Sequence, residues 1–238
     1  MDPLDINLGS ISVFTLCALS AARKYVDLVE AQMSQAHDDL LHAALDEYRN
    51  IPNPDEADYD TYVRVVDRSF EEEYQPILRY TEVVYLCMVF ETYTSRHIAE
   101  IQVLQKGKPD ILEKSTRQKR CSLVEAARIY FRDHIKWSLL DDSDWAALRE
   151  IAEVRNCIVH STGIVRDRKY SNFIYSLEAR KWCQESVGIE IDRYQGKDIG
   201  LPIIIHRRFL EYVLDLLDRF FGALVEKTHA EFWNKKGT

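Results

Sequence analysis

Glycine and proline are scarce in this chain, with 8 glycines and 6 prolines in 238 residues. An all-β sandwich or barrel needs many tight turns, and these two residues form most of them, so both folds are excluded. Apolar residues make up 46% of the chain and charged residues 29%, which is enough to form a hydrophobic core. The composition therefore predicts a mainly α-helical, single globular domain.

Cysteine pairs, a basic leader and long apolar runs are also missing. The cysteines are odd in number and dispersed without a CxxC motif, which is typical of a reducing compartment. The first residues, MDPLDINLGS, include no basic segment, and the longest apolar run, Val83 to Phe90, is far too short for a membrane span. We expect a cytoplasmic protein with no membrane segment. The cysteines are Cys17, Cys87, Cys121, Cys157 and Cys183.

The sequence motifs of the common enzyme classes are absent as well. There is no glycine-rich phosphate loop, no GxSxG, no HExxH and no zinc-ligand spacing among the cysteines and histidines. We therefore expect no metal site and no cofactor.

Charge is distributed unevenly in this chain of net charge −8. Residues 1–76 carry 5 Lys or Arg against 16 Asp or Glu, so residues 77–238 have a net charge of +3. A basic surface for a partner, if the chain has one, is therefore expected in the second part. Two groups of basic residues there are either solvated loop residues or candidates for RNA binding: Lys114, Arg117, Lys119 and Arg120 in one, and Arg166, Arg168 and Lys169 in the other.

Apolar periodicity predicts five helices. The first covers about the first fifty residues and ends at Ile51-Pro-Asn-Pro, and the acidic residues through Asp60 are expected to form a solvated connection. The other helices are expected at Phe70–Lys106, Ser122–Trp137, Asp141–His160 and, with a continuous apolar stripe, Leu210–Leu224. Gly163 is expected to end the fourth helix in a left-handed conformation.

A short β-hairpin is predicted just before the last helix. Residues 170–205 lose the helical period, and the segment Ile199–Ile205 is rich in β-branched residues. Pro202 lacks a backbone N–H, which predicts an edge strand. The expected fold is an all-α bundle, residues 1–238, with an N-terminal helical extension (1–60), a core (70–228) and a β-containing insertion (170–205).

The helix that ends at His160 is the segment most suited to chemistry. At about 100° per residue, its apolar residues share one face and Asn156 and His160 lie on the opposite one. Asn156 is four residues from His160 and could orient the imidazole by a hydrogen bond. Arg155 is five residues from His160, about 140° around the helix, so spacing alone does not bring these two side chains together.

The segment Arg155-Asn-Cys-Ile-Val-His160 resembles the R-x(4–6)-H motif of the HEPN superfamily, including the polar residue after the arginine. Glu91 on an earlier helix is similar to an acidic position that many members keep. The resemblance implies a helical bundle that forms a homodimer with a composite active site, and a metal-independent endoribonuclease of toxin–antitoxin or phage-defence systems. It assigns Arg155, Asn156 and His160 as catalytic residues and Glu91 as accessory, with a possible antitoxin or regulatory protein as partner.

Two other interpretations stay open. The chain could be a non-catalytic HEPN module that binds nucleotide, RNA or a protein partner. It could also be a helical interaction protein unrelated to the superfamily, in which Arg155 is a surface residue and His160 is favoured at its helix end by the helix dipole.

Overall fold

The fold is mainly α-helical, as the composition predicted. The computed structural model describes residues 3–52, 55–105, 122–165, 188–191 and 200–232. Within these ranges the helices are α1 (Pro3–Arg49), α2 (Glu56–Ser69), α3 (Gln75–Leu104), α4 (Leu123–Ile129), α5 (Asp142–Ser161) and α6 (Arg207–Phe232). The strands are β1 (Ile164–Val165), β2 (Ile189–Ile191) and β3 (Leu201–Ile205).

The connection predicted through Asp60 is wrong, because α2 begins at Glu56. Asp55 caps this helix with its side chain, which accepts a hydrogen bond from the backbone N–H of Asp58 at 2.8 Å. The Asp58 carboxylate accepts in return from the backbone N–H of Asp55 at 3.3 Å. This reciprocal capping box satisfies two N–H groups that would otherwise lack partners, so the acidic residues start a helix.

A π-helical turn, Phe70–Tyr74, joins α2 to α3 without a break in the helical path. The helix that was predicted to begin at Phe70 therefore continues from α2, and Phe70 is the first residue of the wider π-helical turn. Pro76 is the second residue after this π-helical turn. Proline has no N–H to donate and its ring crowds the preceding turn, so it falls where the regular helical hydrogen-bond pattern is already interrupted. A second π-helical turn, Tyr130–His134, ends the helix predicted over Ser122–Trp137.

The strands form a three-stranded antiparallel sheet in the order β1-β3-β2. The predicted edge position of Pro202 is wrong, because β3 lies between β1 and β2 and Pro202 is paired with Ile164. The N–H of Ile203 donates to Gly163 at 2.8 Å. Since alternate residues of an antiparallel strand donate to opposite sides, Pro202 is not required to donate to β1.

The core is centred on the contact between α3 and α6, where Phe90 lies 5.1 Å from Phe220 between ring centroids. Trp145 of α5 packs on the same Phe220 ring at 5.7 Å, and Phe131 of the second π-helical turn at 6.1 Å. The helix α1, predicted as an extension, contributes Leu19, Ala22 and Val26 to this same core.

A charged cluster lies buried where α1, α3 and α6 meet. Arg79 binds Glu30 through two hydrogen bonds of 2.8 and 3.0 Å and donates a third to the carbonyl of Ile205 at 3.2 Å. Glu82 is fully buried beside this pair, and neither of its carboxylate oxygens has a hydrogen-bond partner within the described residues. Burial, and to a lesser extent the charge of Glu30, raises the pKa of Glu82 to about 8, although Arg79 and Arg207 oppose the shift.

We predict that Glu82→Gln removes a pH dependence of stability. The Glu82 carboxyl has its ordinary pKa of 4.5 in the unfolded chain and about 8 in the folded one. Between these values the folded state holds the extra proton, so the free energy of unfolding of the wild type falls as pH rises, by at most about 1.4 kcal/mol per pH unit. The stability of Glu82→Gln relative to the wild type should therefore increase from pH 5 to pH 8, measured by urea denaturation. The exposed Glu73→Gln is the control, and an equal pH trend in both variants would contradict the prediction.

Candidate functional site

The candidate site lies at the end of α5. Residues at both ends of this helix determine where it begins and where it ends. Asp141 caps its start by accepting from the backbone N–H of Asp144 at 2.8 Å. At the other end Thr162 has a left-handed conformation with φ of 52°, and Gly163 follows with φ of 75°. The left-handed stop predicted at Gly163 thus begins one residue earlier, at Thr162.

Tyr80 of α3 fixes the position where α5 ends. Its hydroxyl donates to the carbonyl of Ile203 at 2.5 Å, and its ring lies so close to Gly163 that a Cβ at that position would overlap it. Burial, with a contribution from Cys157, raises the pKa of Tyr80 to about 12, so its hydroxyl remains a hydrogen-bond donor. Nothing in the sequence pointed to Tyr80 apart from the glycine at position 163, which leaves room for its ring.

Arg155 and Glu91, which the resemblance named together, are in contact. The guanidinium of Arg155 donates through Nη2 to Oε1 of Glu91 across the interface between α5 and α3. Both side chains are partly exposed, 25% for Arg155 and 37% for Glu91, so the pair remains accessible from solvent. An ion pair with this exposure adds at most about 1 kcal/mol to stability. Its effect on the site is to fix the guanidinium in one orientation.

His160 is exposed on the last turn of α5, separated from Arg155 as the spacing predicted. Five helical residues place it about 7.5 Å further along the helix axis and about 140° around it. The predicted hydrogen bond between Asn156 and His160 is not formed, and neither side chain has a hydrogen bond or ion pair among the residues that the structure describes. One chain therefore presents an oriented arginine and a separate, accessible histidine.

The two cysteines near the site are packing residues. Cys87 is buried beside Arg155 and Glu91, and burial raises the pKa of its thiol to about 12. Cys157 is fully buried, and burial raises its pKa to about 11. Because the thiolate is the nucleophilic form, neither thiol is activated. The sequence prediction of Cys157 as a packing residue agrees with this burial.

A small cavity lies beside the site. It is mainly apolar, lies behind Cys87 and Glu91, is closed by Leu148 and Ile151 and measures about 20 Å³. This volume holds about one water molecule, so a larger ligand does not fit into this cavity.

Comparison with known proteins gives no relative. No protein-family model matches the chain, and no curated protein or solved structure is similar to it. The site must therefore be interpreted from its own residues. Within the described ranges, no three His, Cys, Asp or Glu side chains are grouped so that they could hold a metal ion. None of the described helices combines the length and apolarity that crossing a bilayer requires.

The predicted RNA-binding residues Lys114, Arg117, Lys119, Arg120, Arg166, Arg168 and Lys169 lie outside the described residues. Both groups stay predictions.

We predict that removing the glycine at position 163 and introducing one at position 162 have opposite effects on the stability of the fold. Gly163→Ala should lower the free energy of unfolding by about 1–3 kcal/mol, because alanine disfavours positive φ and its Cβ would meet the Tyr80 ring. Thr162→Gly should leave stability unchanged or raise it by up to about 1 kcal/mol, because glycine adopts a left-handed φ without strain. Thermal and urea unfolding measure both. Equal destabilisation by the two variants would contradict the proposed role of Tyr80.

Proposed function

We propose that this chain is a metal-independent endoribonuclease of the HEPN type that acts as a homodimer. The observation that supports this function is the contact of Arg155 with Glu91 beside an exposed His160 on the same helix. The resemblance named these three residues from sequence, and two of them are 64 positions apart in the chain. Helix periodicity alone could not predict this contact, because the two residues lie on different helices.

The residue types suit cleavage of RNA by its own ribose. The 2′-hydroxyl attacks the adjacent phosphorus while the bond from phosphorus to the 5′-oxygen breaks, which leaves a 2′,3′-cyclic phosphate and a 5′-hydroxyl. His160 takes the proton of the 2′-hydroxyl, and His160 of the second copy gives a proton to the leaving 5′-oxygen. Arg155 donates to the non-bridging phosphate oxygens and stabilises the charge that develops on them.

Glu91 is a positioning residue in this scheme. Its carboxylate holds one end of the Arg155 guanidinium, while the other N–H groups of the arginine stay available because its side chain is partly exposed. Asn156 lies on the same surface as His160, where it can contact the RNA or the imidazole once substrate is bound. The basic groups at 114–120 and 166–169 would bind the flanking phosphates.

A second candidate function is a non-catalytic HEPN module that binds nucleotide, RNA or a protein partner. The observation that favours it is the compensation of the Arg155 charge by Glu91, which weakens the attraction of Arg155 for a phosphate. The role in a toxin–antitoxin or phage-defence system and an antitoxin or other regulator as partner are proposals from the family resemblance alone. The cytoplasmic location is a proposal from the dispersed cysteines and the first residues of the sequence.

The site prediction concerns two alanine variants. His160→Ala and Arg155→Ala should each lower the rate of RNA cleavage by about 10²- to 10⁴-fold, because each removes a group that acts in the transition state. His160→Ala should change stability by less than about 0.5 kcal/mol because the side chain is exposed, and Arg155→Ala by less than about 1 kcal/mol. Cleavage of a structured RNA by the purified protein, with product ends analysed for a cyclic phosphate, measures the effect.

The matched control is His134→Ala, which removes another exposed histidine from the second π-helical turn. It should retain the wild-type rate. Full activity of His160→Ala would contradict the catalytic assignment. A wild type that binds RNA or nucleotide but cleaves none would instead support the non-catalytic module.

The metal prediction is tested on the same samples. Cleavage should persist in excess EDTA, because the proposed proton transfers and charge stabilisation come from histidine and arginine side chains. Loss of activity in EDTA with full recovery on adding Mg²⁺ or Mn²⁺ would contradict the metal-independent mechanism.

A further inference from the structure

The end of α1 and the whole of α2 form a pair of helices without buried side chains. We define this helical hairpin as residues 34–52, which include the last part of α1, and residues 55–69, which include α2. None of its described side chains is buried, whereas Met33 and Phe70 on either side are, with exposed fractions of 3% and 6%. A helix normally buries its apolar stripe against other elements. The helical hairpin therefore offers a face that other elements can still cover.

The two helices of the helical hairpin run antiparallel, and two contacts set their relative height. Nε2 of His37 lies 2.9 Å from Oδ1 of Asp67. The ring of Tyr48 lies 5.5 Å from the ring of Tyr59, between centroids. Interpolation between these two contacts places residue 40 of α1 level with residue 65 of α2.

Leu40 and Val65 form an exposed apolar pair on one face of the helical hairpin. Their exposed fractions are 40% and 59%. When each helix is viewed from its N-terminus, both side chains lie about 75° anticlockwise from the half-buried residues that face the other helix. A twofold axis relates two antiparallel helices, so equal rotations point to the same face of the pair. The half-buried Ala44 lies between the two helices on this face, and its small side chain allows a third helix to approach closely.

The helical hairpin also carries most of the net charge of the molecule. Its residues include 3 Lys or Arg against 9 Asp or Glu, a net charge of −6, so the remainder of the chain has −2 of the total of −8. Arg49, Arg64 and Arg68 are each already paired with a carboxylate about one helical turn away. The excess of negative charge is therefore available to a partner.

Two exposed carboxylates lie on the same face as the apolar pair. Glu47 follows Leu40 by seven residues on α1, and Asp58 precedes Val65 by seven residues on α2. Seven residues are about two helical turns, which returns a side chain to the same side of its helix. A helix whose apolar side chains contact Leu40 and Val65 can therefore place basic side chains beside Glu47 and Asp58.

Charge and apolar exposure together select one class of partner. RNA, an anionic membrane surface and the acidic helical hairpin of a second copy would all be repelled. A free cation would be attracted by the carboxylates but would leave Leu40 and Val65 exposed. A helix with basic residues on one side and an apolar stripe on the other satisfies both features, because its stripe can pack between two helices.

We propose that the helical hairpin is the docking site for a basic amphipathic helix of another protein, which lies along the face of Leu40 and Val65. The apolar side chains of that helix bury this pair, and its lysine or arginine side chains contact Glu47 and Asp58. The proposed docking site is formed by α1 and α2, whereas the candidate ribonuclease site is on α5. The proposal therefore does not rest on the proposed function.

The first experiment measures the binding of a fluorescent leucine–lysine peptide to the full chain by fluorescence anisotropy. The peptide has about 18 residues, or five helical turns, with all its leucines on one face. The wild type should bind it, and more weakly as salt is added. A peptide with the same residues scrambled, and one with glutamate in place of lysine, should bind at least about 10-fold more weakly. No binding of the leucine–lysine peptide at about 100 µM, or equal binding of either comparison peptide, would overturn the proposal.

Serine variants test the position of the bound helix. Leu40→Ser and Val65→Ser should each raise the dissociation constant of the leucine–lysine peptide by about 10- to 100-fold, because each removes an apolar side chain that the peptide buries. The control Val103→Ser removes a side chain that is 54% exposed near the end of α3, and it should leave the dissociation constant unchanged. Far-UV circular dichroism checks that all three variants fold. Equal affinities of folded Leu40→Ser and Val103→Ser would overturn the proposed position.

A charge variant separates local attraction from the net charge of the chain. Glu47→Lys should raise the dissociation constant of the same peptide by at least about 10-fold at low salt, and by less as salt is added. Glu226→Lys makes the same change at an exposed position on α6 and should have a smaller effect. Equal effects of the two variants would mean that only net charge attracts the peptide, which would overturn the proposed contact with Glu47.

Discussion

The fold depends on the packing of other helices around α3, because α3 is apolar on nearly all sides. Such a helix is stable in water only when other elements cover it. In this molecule α1, α5 and α6 pack around it, with Phe90 against Phe220 at the centre and Arg79 joined to the carbonyl of Ile205 at one end. These neighbours leave the strip from Ile77 to Thr92 open.

The same helix sets the position of the candidate site. Tyr80 holds the end of α5 through Gly163 and the carbonyl of Ile203, and Glu91 holds its middle through Arg155. These two residues lie eleven positions apart, about three turns of α3. Because α3 contacts α5 at these two points, the position of His160 along the length of α3 is defined. A site on a helix held in this way is more rigid than one on a loop.

Helices with one dominant apolar stripe could be predicted from the sequence, and α1 and α6 were. The first turn of α2 could not, because its stability comes from the reciprocal hydrogen bonds of Asp55 and Asp58, and acidic residues of that kind also occur in solvated loops. Pro202 was placed wrongly because the strand that covers it, β1, has two residues and no alternating pattern. In the site, the spacing of Arg155 and His160 along α5 was predictable. The contact of Arg155 with Glu91 was not predicted, because it joins two helices that are distant in the chain, and the resemblance named both residues without a contact between them.

The chemistry proposed for this site needs two proton transfers, one from the attacking hydroxyl and one to the leaving oxygen. The end of α5 offers one exposed imidazole, and the Glu91 carboxylate already accepts a hydrogen bond from Arg155. The proposed mechanism therefore takes the other transfer from His160 of a second copy of the chain, and this is why the proposed ribonuclease is a homodimer.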